Sequence, residues 1–130
     1  MASRYVLMLE NDTDDRYFTQ TTLQDLGINT EVRYEFYSPS LLSSLEELPT
    51  VILLAYSTDP ENGLSIVAQL KSGRFKKVPL IVLIEELPAA AIEKYYEAGV
   101  STVIKKPASH QATAQKIETF FRYWFEVAQL

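Results

Sequence analysis

Val51-Ile52-Leu53-Leu54 is apolar at every position, and a loop rich in structure-breaking residues follows it. A strand with one face in water alternates polar and apolar residues, so an unbroken apolar run indicates a strand that is buried on both faces. Tyr5–Leu9 and Leu80–Ile84 have the same character. Three such strands predict a parallel sheet that is covered by helices on both sides.

The segments between these runs have helical periodicity and end in capping residues. Phe18, Thr22 and Leu26 share one helical face, and Gly27 follows them where a helix C-cap is expected. Ser38 and Pro39 suit the first two positions of a short helix. The predicted order is strand 5–9, a helix to 26, strand 30–37, helix 39–48, strand 50–54, helix 64–71, strand 80–84, helix 88–98, strand 102–104 and a last helix capped by Ser109.

Five β-α units without a linker predict an α/β fold of the flavodoxin-like (βα)5 type, a three-layer sandwich in one domain over residues 1–130. The expected parallel five-stranded sheet has strand order 2-1-3-4-5. Sites in such sheets lie beyond the C-terminal ends of the strands, at the switch point between strands 1 and 3. The residues expected to approach that edge are Glu10, Asn11, Asp12, Ala55, Ile84 and Lys106.

Composition excludes several classes of function. The 130 residues contain no cysteine and a single histidine, which excludes disulfides, thiolate metal sites and multi-histidine metal sites. The net charge of -5 argues against nucleic-acid binding. No apolar run approaches the roughly 20 residues that span a bilayer, and residues 1–4 lack the form of a secretory signal. We therefore expect a soluble, cytoplasmic protein with no membrane partner.

Three segments, in order and at matching separations, resemble a response-regulator receiver domain of two-component signalling. They are residues 7–15, with a strand and an acidic loop, residues 78–83, with the fourth strand, and residues 99–107, which end in Lys106-Pro107. Residues 123–126 resemble the ending of small stand-alone bacterial members. The resemblance implies two acids after strand 1 and an aspartate after strand 3 that hold Mg²⁺. That aspartate would accept a phosphoryl group from a histidine kinase.

The chain departs from this pattern at most of its functional positions. Glu10 keeps the first acid, but Asn11 and Ala55 stand where the family has a second acid and the phosphoacceptor. Ile84 replaces the family's Ser or Thr after strand 4, and Val103 replaces the aromatic switch residue. The resemblance therefore implies a degenerate pseudo-receiver with no enzymatic activity, no cofactor, weak or absent Mg²⁺ binding and no phosphorylation on aspartate.

The residues that follow Ala55 are poor substitutes for the acceptor. Asp59 lies four residues past Ala55, up to about 13 Å along an extended path. Tyr56, Ser57 and Thr58 carry no carboxylate. Lys106 has lost the phosphate that it would bind in the family, so we expect its ammonium group to pair with Glu10 or Asp12.

The last helix has more apolar surface than a one-sided helix needs. One stripe contains Ile117, Phe121, Trp124, Phe125 and Ala128, and a second contains Phe120, Tyr123 and Val127. We predict that the second stripe, with Tyr95 and Tyr96 of the fourth helix, forms a surface for protein partners. The resemblance implies that these partners are a histidine kinase, another regulator, or a second copy bound through helix 4, strand 5 and helix 5. A wide core contact that absorbs both stripes is the alternative.

Two other functions stay open at this stage. One is an adaptor within an active phosphorelay, which holds a kinase or competes with a genuine receiver. The other, weaker alternative is a flavodoxin-like cofactor binder or enzyme, although the loops after strands 1 and 3 have no glycine-rich phosphate cradle. His110 is expected to be an exposed residue early in the last helix.

Overall fold

The computed structural model describes residues 4–55, 60–84, 88–107 and 109–127. The five strands are all parallel and have the order β2-β1-β3-β4-β5, which confirms the predicted fold. The elements are β1 (Tyr5–Leu9), α1 (Thr13–Asp25), β2 (Glu31–Glu35), α2 (Pro39–Ser44), β3 (Val51–Leu54), α3 (Pro60–Ser72), β4 (Leu80–Ile84), α4 (Ala89–Glu97), β5 (Thr102–Lys105) and α5 (His110–Arg122), which continues as one π-helical turn (Tyr123–Val127).

Two apolar clusters cover the two faces of the sheet, because successive strand side chains point to opposite sides. Tyr5, Leu7 and Leu9 of β1 pack with α3 and α4 in the first cluster. Val6 and Met8 pack with α1 and α5 in the second. This arrangement is the three-layer sandwich that the unbroken apolar runs predicted. Within the described residues, no helix is both long and apolar enough to cross a membrane.

Side-chain caps fix the starts of three helices. Ser38 accepts from the Leu41 N–H, and Ser109 accepts from the Ala112 N–H, as the sequence predicted. Asp12 caps α1, a role that the sequence prediction did not assign to it. Gly27 follows α1 with φ at +68°, in the left-handed region that glycine adopts without strain.

Several predicted boundaries were wrong. Strand β2 spans only Glu31–Glu35, and α2 ends at Ser44 instead of residue 48. Helix α3 begins at Pro60, whereas the sequence prediction placed residues 60–63 in a loop. A proline has no N–H to donate, but the first turn of a helix needs none, so Pro60 opens the helix.

Candidate functional site

The C-terminal edge of the sheet brings together the residues that the sequence placed there. Glu10 directly follows β1 and Ala55 directly follows β3, and the Ala55 N–H donates to the Leu9 carbonyl at 3.0 Å. The Lys106 N–H donates to the Ile84 carbonyl at 2.5 Å. The remnants of the predicted pocket therefore lie at the ends of four neighbouring strands.

Glu10 is a buried acid, with only 3% of its surface exposed. Its Oε1 accepts a hydrogen bond of 3.0 Å from the Asp12 N–H. Burial is the main cause that raises the pKa of Glu10, to about 7, and the Asp15 charge adds to it. The Asp12 N–H and the Lys106 ammonium act in the opposite direction. Near neutral pH, Glu10 therefore exists as a mixture of the protonated acid and the carboxylate.

Lys106 pairs with a carboxylate, as predicted, but the partner is Asp15. The distance from Lys106 Nζ to Asp15 Oδ2 is 2.9 Å. Asp12 Oδ1 instead accepts from the Asp14 and Asp15 N–H groups, at 2.8 and 3.2 Å. The Lys106 ammonium also lies close enough to Glu10 for its charge to lower the pKa of that acid, as predicted, whereas capping holds Asp12 at the start of α1 and the first helical turn presents Asp15 to the lysine.

Three positions that depart from the receiver pattern, Ala55, Ile84 and Val103, pack in or against the apolar core. Ala55 is 4% exposed and packs in the cluster beneath α1 and α5. Ile84 is 5% exposed and lies in the other cluster, with the partly buried Val103 packed against it. Each substitution therefore places a side chain that fits its apolar surroundings.

One carboxylate oxygen of each of Glu10, Asp12 and Asp15 is committed to another contact. Glu10 Oε1 and Asp12 Oδ1 accept backbone N–H groups, and Asp15 Oδ2 faces the Lys106 ammonium. Asn11 is exposed and contributes a neutral amide. In the part of the chain that the structure describes, no group of three His, Cys, Asp or Glu residues could hold a metal ion. The substitutes considered above, residues 56–59, lie outside the described residues.

Sequence reasoning missed Arg16, which braces this edge. Its Nε donates to the Glu10 carbonyl at 2.8 Å, and its guanidinium carbon lies 4.2 Å from the centre of the Phe36 ring. Arg16 thus connects α1 to the chain that leaves β1 and to the chain that leaves β2. Nothing in the periodicity of α1 marks this role, because the contact depends on where β2 ends.

The predicted interaction surface is only partly exposed. Tyr96 is 48%, Tyr123 49% and Val127 67% exposed. Tyr95 and Phe120 are buried, at 1% and 6% exposure, so their assignment to a surface was wrong.

Both errors have a packing explanation. The Tyr95 hydroxyl occupies space beside α3 that exists because Gly63 has no side chain. Phe120 packs edge-on against Phe121, with ring centres 5.1 Å apart. The core thus absorbs part of both apolar stripes of α5, whereas the alternative interpretation had it absorb both stripes, and it leaves Tyr123 and Val127 at the surface. Ala128 lies outside the described residues.

Two side chains join the flanking helices to β5. The Tyr96 hydroxyl of α4 accepts the Val103 N–H at 3.1 Å. Lys116 Nζ of α5 donates to the Lys105 carbonyl at 2.6 Å. His110 is exposed at the start of α5, as predicted, and its ring lies 4.7 Å from that of Phe18.

Comparison with known proteins gives relatives of one kind. No protein-family model matches the chain. Chemotaxis protein CheY1 of Helicobacter pylori strain ATCC 700392 / 26695 is 28% identical over 115 residues, which cover 87% of this chain and 93% of that protein. The protein of the same name from strain J99 is 27% identical over the same length.

Solved structures share the fold over nearly the whole chain. The phosphorylated cyanobacterial phytochrome response regulator RcpA has a TM-score of 0.85 and 21% identity, with 99% of each chain covered. A response regulator from Hahella chejuensis has a TM-score of 0.85 and 20% identity, with 98% of this chain and 99% of that chain covered. The receiver domain of the sensor histidine kinase PA1611 from Pseudomonas aeruginosa, whose structure holds a magnesium ion in its active-site cleft, has a TM-score of 0.64 and 17% identity, with 95% of this chain and 98% of that chain covered.

Proposed function

Because this chain is a relative of CheY-like response regulators and has the receiver-domain fold of two-component signalling, we propose that it acts as a pseudo-receiver. In this proposal it is a stand-alone cytoplasmic domain that binds protein partners and is not phosphorylated on aspartate. The proposal rests mainly on Ala55, whose buried methyl group lies at the end of β3. A methyl group cannot accept a phosphoryl group, whatever the rest of the pocket provides.

The surroundings of Ala55 support the same conclusion. Phosphoryl transfer needs an in-line acceptor together with metal and cationic groups that neutralise the phosphoryl oxygens. Mg²⁺ prefers an octahedral set of hard oxygen ligands. The acids at this edge are instead a buried Glu10 with a pKa of about 7, a capping Asp12 and an ion-paired Asp15. This donor set does not fit Mg²⁺, and we propose that Mg²⁺ binding is weak or absent.

The relay from pocket to surface is also changed in this proposal. Ile84 has no hydroxyl group that could move toward a phosphate, and Val103 has no ring that could rotate with it. Both side chains pack in the core. The Lys106–Asp15 pair already neutralises the lysine. We therefore propose that the domain keeps one conformation and that partner binding or abundance sets its signalling output.

The proposed partner surface lies on the β5 side of the sheet. Tyr96 of α4 and Tyr123 and Val127 at the end of α5 are large apolar side chains that remain exposed. Exposed aromatic residues of this kind are enriched at protein interfaces. The partner would be a histidine kinase, another regulator, or a second copy bound across this surface. An adaptor that holds a kinase or competes with a genuine receiver would use the same residues.

The proposal is tested by exposing the protein to a small phosphodonor in the presence of Mg²⁺ and measuring its intact mass. An unchanged mass is the expected result. A stoichiometric, base-labile phosphoryl adduct would overturn the proposal. A flavin-like absorbance near 450 nm in the purified protein would instead favour a cofactor binder.

A further inference from the structure

The two outer strands of the sheet, β2 and β5, differ in whether side chains bond to the backbone at their free edges. Strand β5 bonds to β4 on one side, and the Lys106 N–H donates to the Ile84 carbonyl. Backbone groups alternate in direction along a strand, so Val103 and Lys105 face the free edge. There the Val103 N–H meets the Tyr96 hydroxyl, and the Lys105 carbonyl meets Lys116. Side chains thus form hydrogen bonds with backbone groups that an added strand would need for pairing.

The free edge of strand β2 has no such side-chain contacts within the described residues. The Glu10 N–H donates to the Glu35 carbonyl at 3.2 Å, so Glu35 faces β1. The alternation then directs the N–H and C=O groups of Val32 and Tyr34 away from the sheet. Across residues 4–55, 60–84, 88–107 and 109–127, no backbone group or side chain bonds to these outward groups. A free edge of this kind is a template for a further strand.

The side chains of this edge are complementary to themselves. The sequence from 31 to 36 is Glu-Val-Arg-Tyr-Glu-Phe. In an antiparallel pair of two β2 strands centred on Tyr34, Arg33 lies opposite Glu35 of the second copy, and symmetry repeats this contact. Opposite charges at facing positions stabilise a pair of strands. A shift to a centre at Arg33 would instead oppose Arg33 to Arg33 and Glu31 to Glu35, which like-charge repulsion disfavours.

The same register covers exposed apolar surface. Val32 lies opposite Phe36 of the second copy, and Phe36 is 54% exposed. The Arg16 guanidinium over the Phe36 ring shows that this ring lies on the α1 side of the sheet. On that side, a groove of about 350 Å³ runs between α1 and β2, and its lining includes Val32, Tyr34 and Gln20. The groove provides space for the Phe36 ring of the second copy.

We propose that the free edge of β2 is a self-association surface, on which a second copy adds antiparallel and forms a continuous ten-stranded sheet. The interface is isologous, as a two-fold dimer requires. Strand β5, whose Val103 N–H bonds to the Tyr96 hydroxyl, is the opposite edge of the sheet. The dimer therefore leaves Tyr96 of both copies free, and it does not depend on the state of the phosphorylation pocket.

The first test measures the solution mass of the full chain by sedimentation across a dilution series from about 1 to 300 μM. We expect concentration-dependent dimerisation. Arg33→Glu should weaken it at least about tenfold, because the facing pairs become Glu opposite Glu. Combining Arg33→Glu with Glu35→Arg should restore it, because the facing charges are complementary again.

Tyr123→Ser, at the exposed end of α5, is the control and should leave this dimer intact. A monomer at the highest concentration would overturn the proposal, and so would a dimer that Tyr123→Ser abolishes and Arg33→Glu does not. The second pattern would assign self-association to the α4–β5–α5 surface. Circular dichroism of each variant separates a lost interface from a lost fold.

A cross-linking test reads the register directly, because the chain has no cysteine. The Arg33→Cys and Glu35→Cys variants are prepared separately and then mixed under mild oxidation. Facing residues in a non-hydrogen-bonded antiparallel pair have Cα atoms about 4.5 Å apart, within the range for a disulfide. The mixture should form a disulfide dimer containing one chain of each kind. Absence of this dimer, or equal cross-linking of each variant alone, would contradict the proposed pairing.

Discussion

Lys106 and Asp15 form an ion pair across the site edge, with 2.9 Å between Nζ and Oδ2. The pair connects the chain that leaves β5 to the first turn of α1, 91 residues apart in sequence. Both side chains remain partly exposed, at 22% and 35%. Lys106 thus neutralises an acid of its own chain.

Removing this lysine should have a small effect on stability. We expect Lys106→Ala to lower the free energy of unfolding by at most about 1 kcal/mol, because solvent screens a partly exposed pair. The same change should raise the pKa of Glu10 further, since the ammonium charge lowers it. Urea unfolding and a carboxyl NMR titration measure the two effects. Lys105→Ala, at the exposed neighbouring position, should shift the Glu10 pKa less; an equal shift would show that the lowering does not come from the Lys106 ammonium.

The buried acid at position 10 should make stability depend on pH. The folded-state pKa of Glu10, about 7, lies above its usual value of 4.5, so the folded protein binds this proton more tightly than the unfolded chain. The stabilisation from the proton is complete below about pH 4.5 and is lost as the pH rises through 7. Gln at this position keeps an oxygen for the Asp12 N–H and carries no charge. We expect Glu10→Gln to be about 1–3 kcal/mol more stable than the wild type at pH 8.

That gain should shrink toward pH 5, where Glu10 is already protonated in the folded protein. Denaturant unfolding at both pH values measures it. Asp14→Asn serves as the control, because it removes an exposed acid from the first turn of α1. A gain from Glu10→Gln that does not change with pH would contradict the assigned titration.

Gly63 should resist replacement by alanine despite its position in a helix. Alanine is a better helix former by about 1 kcal/mol, but the new methyl group would overlap the Tyr95 hydroxyl. We expect Gly63→Ala to destabilise the protein by about 1–3 kcal/mol, as overpacked cores do. Combining it with Tyr95→Phe should recover part of the loss. Gly73→Ala is the matched control, because its added methyl makes only an ordinary contact with the Gln69 carbonyl; an equal loss there would exclude the proposed overlap.

Restoring the acceptor alone should not restore the switch. Position 55 is buried next to the sheet edge that holds Glu10, so a second carboxylate there costs desolvation and repulsion. We expect Ala55→Asp to lower stability by about 1–3 kcal/mol near neutral pH. Little phosphoryl adduct should form, and the spectrum of residues around Tyr96 and Tyr123 should not change. Ala55→Asn is the control, because asparagine has the size of aspartate without its charge. Efficient switching by Ala55→Asp would show that Ile84 and Val103 matter less than proposed.

The sequence predicted the fold well because buried parallel strands have a distinctive apolar signature. The runs at 5–9, 51–54 and 80–84, with capping residues between them, define the layers and place Glu10, Ala55 and Lys106 at one edge. The side-chain contacts at that edge were less predictable. Asp15 became the partner of Lys106 because Asp12 is held by capping, a choice that only the geometry of α1 determines.

The burial of side chains on α4 and α5 was also hard to predict from the sequence. Helical spacing identifies apolar stripes but does not say how much of each one the core covers. Tyr95 is buried because Gly63, on another helix, leaves space for it, and Phe120 is buried because it packs in the apolar cluster beneath α1 and α5. Gly63 gave no sign of this packing in the sequence, because the prediction placed it in a loop before α3.

We propose that this receiver-like fold works without aspartyl phosphorylation. Intact-mass spectrometry after incubation with Mg²⁺ and acetyl phosphate tests this proposal most directly, with a receiver that carries the acceptor aspartate treated in parallel. We predict that the control gains a base-labile phosphoryl group and that this protein keeps its original mass. A stoichiometric, base-labile adduct on this protein would contradict the claim.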